Sequence, residues 1–318
     1  MKKALVILLI ALMGISTVFA QGASEGASST GAEKVKIGVL APAVTHGWVA
    51  GVAYYAEQRV EELADTVDYR FYTSNSAEEM TSQLDDLMLW GADAIVCYPQ
   101  WTGMEVPIQN AINSGIPVVN FDIQINAEGV YHVAGDNYDM GVQCANYIVE
   151  KIGTEGTVVI LDVPSSGSVA ALRKQGFLDT VAEIAPNLEL LTYATQFTRE
   201  DGLADMADIL TANAHIDAVF SMDDETSIGA LQAIQEAGRT DIKAITGGGG
   251  AQEYFNMMDD YADIWVQSAL YSPSMVTEAV DMAVALANGQ EVEHEVIIPT
   301  TVVDRDNVAD YLDPTSPY

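Results

Sequence analysis

The fold is decided by two similar stretches of sequence, GADAIVCY at residues 91–98 and HIDAVF at residues 215–220. Each contains an almost uninterrupted apolar run, which is typical of a strand covered on both faces of a parallel sheet. Each run follows a segment with the apolar spacing of a helix and leads through polar residues into another such segment. We therefore expect the two runs to be equivalent strands in two related α/β units.

Outward from these stretches, strand-like runs alternate with helical spacing along most of the chain. The runs lie at residues 35–40, 67–73, 94–98 and 116–121, and again at 157–161, 188–193, 216–220 and 242–246. A series of strand–helix units predicts a parallel sheet with helices on both faces. The expected fold is therefore α/β, with two similar doubly wound parallel-sheet lobes. Ligands bind beyond the carboxyl ends of such strands, so we expect one cleft between the lobes.

Composition excludes several classes of protein. The chain has 318 residues, which suggests two domains, and 49% of them are apolar. It has 13 Lys and Arg against 46 Asp and Glu, and this net charge of −33 argues against nucleic acid or an anionic membrane as a partner. Cys97 and Cys144 are too few for a disulfide scaffold, and we expect no bridge between them. The scattered acids are expected to keep the protein soluble and monomeric, or to reflect adaptation to salt.

The N-terminal residues have the features of a secretory signal. Lys2 and Lys3 precede an apolar run, and small or medium residues at 18 and 20 predict cleavage after Ala20. A retained membrane anchor is the alternative. Residues 21–34 are rich in Gly, Ala and Ser and are expected to form a flexible tether. Removal of the predicted signal peptide, residues 1–20, would change the net charge from −33 to −35.

Five short segments resemble a known family by their order and spacing. They are THGW at 45–48, NFD at 120–122, GDN at 135–137, SVAALRKQGF at 168–177 and AVFSMDDE at 218–225. From about residue 35 to residue 303, the chain resembles the periplasmic sugar-binding proteins of the ribose/galactose type, which are type I solute-binding proteins of ABC importers. The resemblance implies a three-strand hinge with crossings near 136–138, 268–270 and 297–300. Lobe one would then comprise residues 35–136 plus 271–297, and lobe two residues 137–270 plus 298–318.

The same resemblance implies an exported, periplasmic protein that captures a sugar or related polyol and delivers it to an ABC permease in the membrane. We expect no cofactor, no metal and no enzymatic activity, since the sequence has neither a nucleophile elbow nor a His-Glu-x-x-His motif. Asp224 and Glu225 are expected to form the cap and first turn of a helix rather than a calcium loop. The alternative function is a receptor for a nucleoside or signalling furanose that feeds a membrane sensor or chemoreceptor.

Ligand-binding residues are expected around the cleft, because aromatic faces stack on sugar rings and planar polar groups bind hydroxyls. The expected set is His46, Trp48, Gln100, Trp101, Asp122, Arg173, Phe197, Asp223, Gly248, Gln252 and Tyr271. The family resemblance implies stacking roles for two aromatic residues, Trp48 and Phe197. Structural roles remain open for several of the set, namely a loop position for His46 and Trp101, the core for Trp48, a cap for Asp122 and a surface ion pair for Arg173.

Two positions depart from the pattern of the ribose-binding members. Ile123 stands where they carry Arg, and Gly248 stands where they carry Asp. We expect these changes to open space for a ligand larger than ribose or differently substituted. The glycine run 247–250 is expected to let backbone N–H groups approach the ligand, with Gln252 supplying the polar side chain.

Overall fold

A computed structural model describes residues 33–43 and 47–318. The predicted signal peptide, its cleavage site, residues 21–32 of the predicted tether and His46 lie outside the described residues. Residues 34–318 form one compact unit.

Strands and helices alternate through the described ranges. The strands are β1 (Val35–Pro42), β2 (Val67–Ser74), β3 (Ala94–Cys97), β4 (Val118–Phe121), β5 (Tyr131–Gly135), β6 (Glu155–Asp162), β7 (Asn187–Ala194), β8 (Ala218–Ser221), β9 (Ala244–Gly248), β10 (Trp265–Ala269), β11 (Glu295–Ile298) and β12 (Val302–Asp304). The helices are α1 (Gly47–Glu62), α2 (Ala77–Trp90), α3 (Glu105–Asn113), α4 (Asn137–Ile152), α5 (Ser168–Ile184), α6 (Arg199–Ala212), α7 (Asp224–Glu236), α8 (Gln252–Met257) and α9 (Val276–Ala287).

Within the described residues these strands form two six-stranded sheets of matching order. The first sheet runs β11-β5-β4-β3-β1-β2 and the second runs β12-β10-β9-β8-β6-β7. All pairs are parallel except β10 with β12, which is antiparallel. The predicted α/β class with two parallel-sheet lobes is confirmed. The sequence pattern missed β5, β10, β11 and β12, because their apolar runs are brief or interrupted by polar residues.

The two stretches that decide the fold occupy equivalent places. They form β3 and β8, each fourth along its sheet and buried at every position. The aspartate before each strand makes the same contact, since the Asp93 carboxylate accepts from the Lys36 amide (2.7 Å) and the Asp217 carboxylate accepts from the Thr157 amide (2.8 Å). In both lobes this aspartate thus ties the start of the fourth strand to its parallel neighbour.

Helices cover both faces of each sheet and create its core. In the first lobe, α1 and α9 pack on one face, and α2 and α3 on the other. In the second lobe, α4 and α5 pack on one face, and α6, α7 and α8 on the other. Cys97 and Cys144 are buried in different cores, in the first and second lobes respectively.

The chain passes between the two sheets at three points. It crosses after β5, after β10, and between β11 and β12. Only a few residues separate β11 from β12, which leaves no room for a helical crossover and accounts for the antiparallel edge strand. The predicted lobe boundaries and the hinge motion remain predictions. No helix in the described ranges is long and apolar enough to span a membrane.

Candidate ligand-binding cleft

A cavity of about 450 Å³ lies at the carboxyl ends of the strands, where the two lobes face each other. Its walls come from the loops that follow β3 and β4 in the first lobe and β6, β7, β8 and β9 in the second. Trp48 at the start of α1 and Tyr271 after β10 complete them. The volume is in the range of small-molecule sites.

Nine residues of the predicted set line this cavity. They are Trp48, Gln100, Trp101, Asp122, Arg173, Phe197, Asp223, Gly248 and Tyr271. His46 falls outside the described residues, and Gln252 does not line the cavity. The structure thus brings most of the predicted residues together around one space, and their contact with a ligand stays a prediction.

Asp122 is the buried carboxylate of the first lobe. It is 5% exposed and directly follows β4. One of its oxygens accepts a hydrogen bond from the Tyr271 hydroxyl at 2.6 Å. Burial raises the pKa of Asp122, while the Tyr271 hydrogen bond and the positive charge of Arg173 act in the opposite direction. Its φ is 66°, the left-handed region, which only Asp122 adopts among the described non-glycine residues.

Tyr271 connects the two lobes behind the cleft. Its hydroxyl donates to Asp122 in the first lobe and accepts from the Asn137 amide at 3.0 Å, at the start of α4. Asn137 in turn accepts from Arg173 Nε at 2.8 Å. Gly135 makes this possible, because a Cβ there would overlap the Tyr271 ring. The carboxylate, phenol, amide and guanidinium therefore form one continuous hydrogen-bonded chain across the crossing between the sheets.

Arg173 is a buried cation of the cleft, and the surface ion pair considered from sequence is wrong. It is 5% exposed, and Nη1 donates to the Met222 carbonyl at 2.7 Å. The guanidinium lies over the Tyr271 ring, 4.6 Å from its centre, and 5.8 Å from that of Phe197. Its remaining nitrogen, Nη2, has no hydrogen-bond partner in the described part of the chain, so it is free to serve a ligand in the cavity.

Trp48 belongs both to the cleft and to the core. Its indole N–H donates to the Tyr271 carbonyl at 2.7 Å, and its ring stacks on Phe121 at a centroid distance of 6.2 Å. Tyr98 meets the ring edge-on at 6.0 Å. These contacts fix the orientation of the indole, and its partly exposed remainder lines the cavity.

Asp223 faces the cleft from the second lobe. It also takes the helix-capping role that the sequence analysis assigned to Asp224. Asp223, not Asp224, is the N-cap of α7, because its Oδ1 accepts from the Thr226 amide at 3.1 Å. Burial raises the pKa of Asp223 to about 7. Asp224 is fully buried, and its Oδ2 accepts from the amides of Gly250 and Ala251 and from the Ser268 hydroxyl. Asp224 therefore holds the glycine turn in place.

The expectations for the glycine run do not hold. The Gly250 amide is used by Asp224, and the Gly249 amide donates to the Ala269 carbonyl at 3.1 Å, so neither is available to a ligand. A Cβ at Gly248 would overlap the Met140 methyl group. The space expected from the missing aspartate is therefore already filled by Met140.

Gln252 is likewise occupied elsewhere. Its amide donates to the Tyr311 carbonyl at 3.1 Å and its oxygen accepts from the Asp313 amide at 2.7 Å. Ile123 does line the cavity, as an apolar wall at the position expected to carry a charge.

Among the residues of the site that sequence reasoning missed are Tyr98, Asn137 and Tyr318. Tyr98 and Tyr318 line the cavity, and Asn137 belongs to the hydrogen-bonded chain described above. Tyr98 directly follows β3, so the strand-end rule that singled out Asp122 could have found it. Asn137 lies within the GDN segment. No local signal marks Tyr318, whose partners are distant in sequence. The described residues contain no group of three or more His, Cys, Asp or Glu side chains placed to hold a metal.

Comparison with known proteins identifies the family. The model of the periplasmic binding protein domain matches residues 37–291. The chain belongs to this family. Periplasmic binding proteins of this kind bind solutes and are not enzymes, which confirms the expectation of no catalytic activity.

Several named proteins are similar to this periplasmic binding protein. It is 29% identical to the ribose import binding protein of Escherichia coli K12 over 72% of this chain and 77% of the relative. It is 25% identical to a xylitol-binding protein of Mycolicibacterium smegmatis over 90% and 81%, respectively. A solved galactofuranose-binding protein is 25% identical, with a TM-score of 0.79 over 89% of this chain and 100% of that one. A myo-inositol-bound protein of Bacillus halodurans shares the fold at 20% identity and a TM-score of 0.81, over 90% and 99%.

Proposed function

We propose that this protein captures a sugar or related polyol in the interlobe cleft and delivers it to an ABC-transporter permease. The observation that carries the proposal is the pairing, around one cavity, of buried charged groups with aromatic faces. Asp122, Asp223 and Arg173 supply the charged groups, and Trp48 and Phe197 supply the aromatic faces. A sugar presents hydroxyls at its rim and C–H groups on its faces, and these two kinds of side chain match them.

The polar groups keep capacity to bind a ligand. In Asp223, one carboxylate oxygen is bonded within the protein and the other has no partner among the described residues. The Asp122 carboxylate accepts from the Tyr271 hydroxyl and also interacts with the Tyr98 hydroxyl, and a carboxylate has further lone pairs that can accept from a ligand. Arg173 retains Nη2. In our proposal the carboxylates accept from ligand hydroxyls and Arg173 donates to a hydroxyl or ring oxygen. Because the other atoms of these groups are already bonded, they are held in position before the ligand arrives.

The relatives support this ligand class. Their names include a ribose import binding protein and a xylitol-binding protein, and the solved neighbours include complexes with D-allose and myo-inositol. Ile123 makes part of the wall of this cleft apolar where ribose-binding members are expected to carry charge. We therefore propose a ligand other than ribose, with fewer hydroxyls on that edge. A furanose is the second candidate, favoured by the likeness to a galactofuranose-binding protein.

The cellular setting is part of the proposal. Cleavage after Ala20 would release residues 21–318 as an exported protein. We propose that it works as a monomer, because its high negative charge opposes self-association. A sensor or chemoreceptor as the receiving membrane protein is the alternative to a permease.

A ligand panel tests the proposal. The chain 21–318, unfolded and refolded to remove retained solutes, is heated with D-ribose, D-allose, xylitol, myo-inositol, L-arabinose or adenosine, and with L-leucine as a control. A ligand at a hundred times its Kd adds about 2.7 kcal/mol to stability and raises the Tm by several degrees. A shift with one sugar or polyol and none with leucine is expected. A shift with adenosine alone points to the nucleoside alternative, and a flat response to every sugar contradicts the proposal.

A further inference from the structure

We propose that residues 312–318, which we call the strap, are part of the ligand site, and that the Tyr318 hydroxyl binds the ligand. The strap leaves the second lobe, reaches the first and ends at the cleft. The identity of the ligand as a polyhydroxy compound rests on the proposed function. The strap itself does not, because its contacts are made within the protein.

The strap begins on the second lobe. Tyr311, just before it, meets the ring of Phe255 at a centroid distance of 6.5 Å. Gln252 holds both sides of this point, since it donates to the Tyr311 carbonyl and accepts from the Asp313 amide. The Gln252 side chain, which sequence assigned to the ligand, thus fixes the origin of the strap on α8.

The strap then reaches the first lobe. The Asp313 carboxylate accepts from the amide and hydroxyl of Thr315, at 2.8 and 2.6 Å, which turns the backbone. The Ser316 hydroxyl lies 3.2 Å from the Tyr55 hydroxyl on α1. Tyr318 packs directly on two glycines of that helix, since a Cβ at Gly47 or Gly51 would lie 3.1 or 3.3 Å from its atoms.

Tyr318 joins these contacts to the cavity. Its side chain lines the cleft and is 8% exposed. The hydroxyl lies against Gly249 of the second lobe, where a Cβ would come within 2.5 Å of it. Tyr318 therefore packs against glycines in both lobes. A side chain at Gly249 would displace the Tyr318 hydroxyl, and one at Gly47 or Gly51 would crowd the rest of the residue.

The Tyr318 hydroxyl is a donor without a partner in the described part of the chain. Burial raises the pKa of Tyr318 well above its usual value, and the negative charges of Asp224, Asp223 and Glu225 raise it further, so the group stays protonated. A nearly buried hydroxyl facing a cavity loses hydrogen bonds to water unless a ligand replaces them. A sugar hydroxyl would supply that partner, on the side of the cleft where Gly248 offers no side chain.

The test compares two tyrosines of the same segment. Tyr318→Phe removes the hydroxyl and keeps the ring, and Tyr311→Phe is the matched control outside the cavity. Calorimetric titration with D-ribose, D-allose, xylitol and myo-inositol measures affinity for each chain. We expect Tyr318→Phe to weaken the sugar that wild type binds by roughly tenfold, and Tyr311→Phe to change it by less than about twofold. Equal affinities in the two variants would overturn the ligand-binding role.

A second measurement needs no ligand. Hydrogen exchange is followed in residues 47–55 for the chain 21–318 and for a chain ending at Tyr311. Loss of the strap uncovers the first turns of α1, so exchange there should be faster by roughly fivefold or more, with α6 unchanged as the internal control. Unchanged exchange in α1 overturns the strap. If wild type binds none of the four sugars, the proposed ligand class fails, and this exchange measurement still decides whether the strap exists.

Discussion

At the scale of the residue, the chemistry of the cleft is concentrated at Asp122. This side chain combines a buried carboxylate, a left-handed backbone and a hydrogen bond that reaches the other lobe through Tyr271. Left-handed geometry costs energy for most residues, but Asp and Asn tolerate it because their short polar side chains bond locally. The position is therefore restricted to a few residue types by its backbone alone, and among these only Asp carries a negative charge.

Because Asn also tolerates the left-handed backbone at position 122, the charge can be removed without changing the backbone. Asp122→Asn keeps a residue that accepts the left-handed backbone and can still accept from Tyr271, but it removes the charge offered to a ligand hydroxyl. We expect binding to weaken by about 1–3 kcal/mol, with a cooperative unfolding transition like that of wild type. Titration of the ligand found in the panel measures the loss, and Asp208→Asn, on the exposed face of α6, is the control. Wild-type affinity in Asp122→Asn would show that the carboxylate is not a ligand.

At the scale of the element, the start of α7 combines two roles in neighbouring carboxylates. Asp223 caps the helix and lines the cleft, and Asp224 receives three hydrogen bonds that hold the turn after β9. Burial raises the pKa of both, to about 7 for Asp223 and about 6 for Asp224. The second lobe thus keeps two acids close together in a site where their charged forms are disfavoured.

This arrangement predicts a pH dependence with a definite sign. Folded Asp223 keeps its proton up to about pH 7, whereas in the unfolded chain it is lost near pH 4, so the folded state binds more protons in between. Stability from this group therefore falls as pH rises through that window, by up to about 1.4 kcal/mol per pH unit. Asp223→Asn retains a good cap without ionising.

Urea unfolding of wild type and of Asp223→Asn at pH 4, 5, 6 and 7 tests this pH dependence. The two proteins should have similar stability at pH 4, and Asp223→Asn should become progressively the more stable of the two toward pH 7. Asp136→Asn, at the half-buried N-cap of α4, provides the matched change at another helix. A constant difference between wild type and Asp223→Asn at every pH would exclude the buried acid as its cause.

Elements also show how far the sequence could be interpreted. Runs such as 94–98 and 216–220 encode their burial locally, so they predicted β3, β8 and the parallel sheets. The strand-end rule placed Asp122 and Phe197 at the cleft for the same reason. Gln252 and Tyr318 could not be assigned in this way. Their roles depend on contacts with segments that are distant in sequence. The start of the strap binds the Gln252 side chain, and the strap brings Tyr318 to α1, which lies near the other end of the chain.

At the scale of the whole molecule, two sheets of matching strand order are packed around one cleft. Repulsion among the many negative charges of the chain opposes this compact arrangement. The sequence has 46 acidic and 13 basic residues, so most acids have no basic partner. Two of the described arginines are already bound to more than one acid, Arg199 to Glu225 and Glu253, and Arg59 to Asp281 and Glu62. Repulsion among the remaining acids acts on the compact state and is relieved when the chain expands.

Salt should therefore stabilise the fold. The distance over which charges interact falls from about 30 Å at 0.01 M salt to about 3 Å at 1 M, so the Tm of the chain 21–318 should rise with NaCl over this range. The same reasoning predicts how a variant with fewer negative charges responds to salt. Glu57→Gln with Asp85→Asn and Asp86→Asn neutralises three exposed helical acids, and it should raise the Tm at 0.01 M salt and reduce its dependence on NaCl. Calorimetry at four salt concentrations measures both effects. A Tm that does not respond to salt in either chain would mean that the acids are balanced in another way, and that their number serves solubility alone.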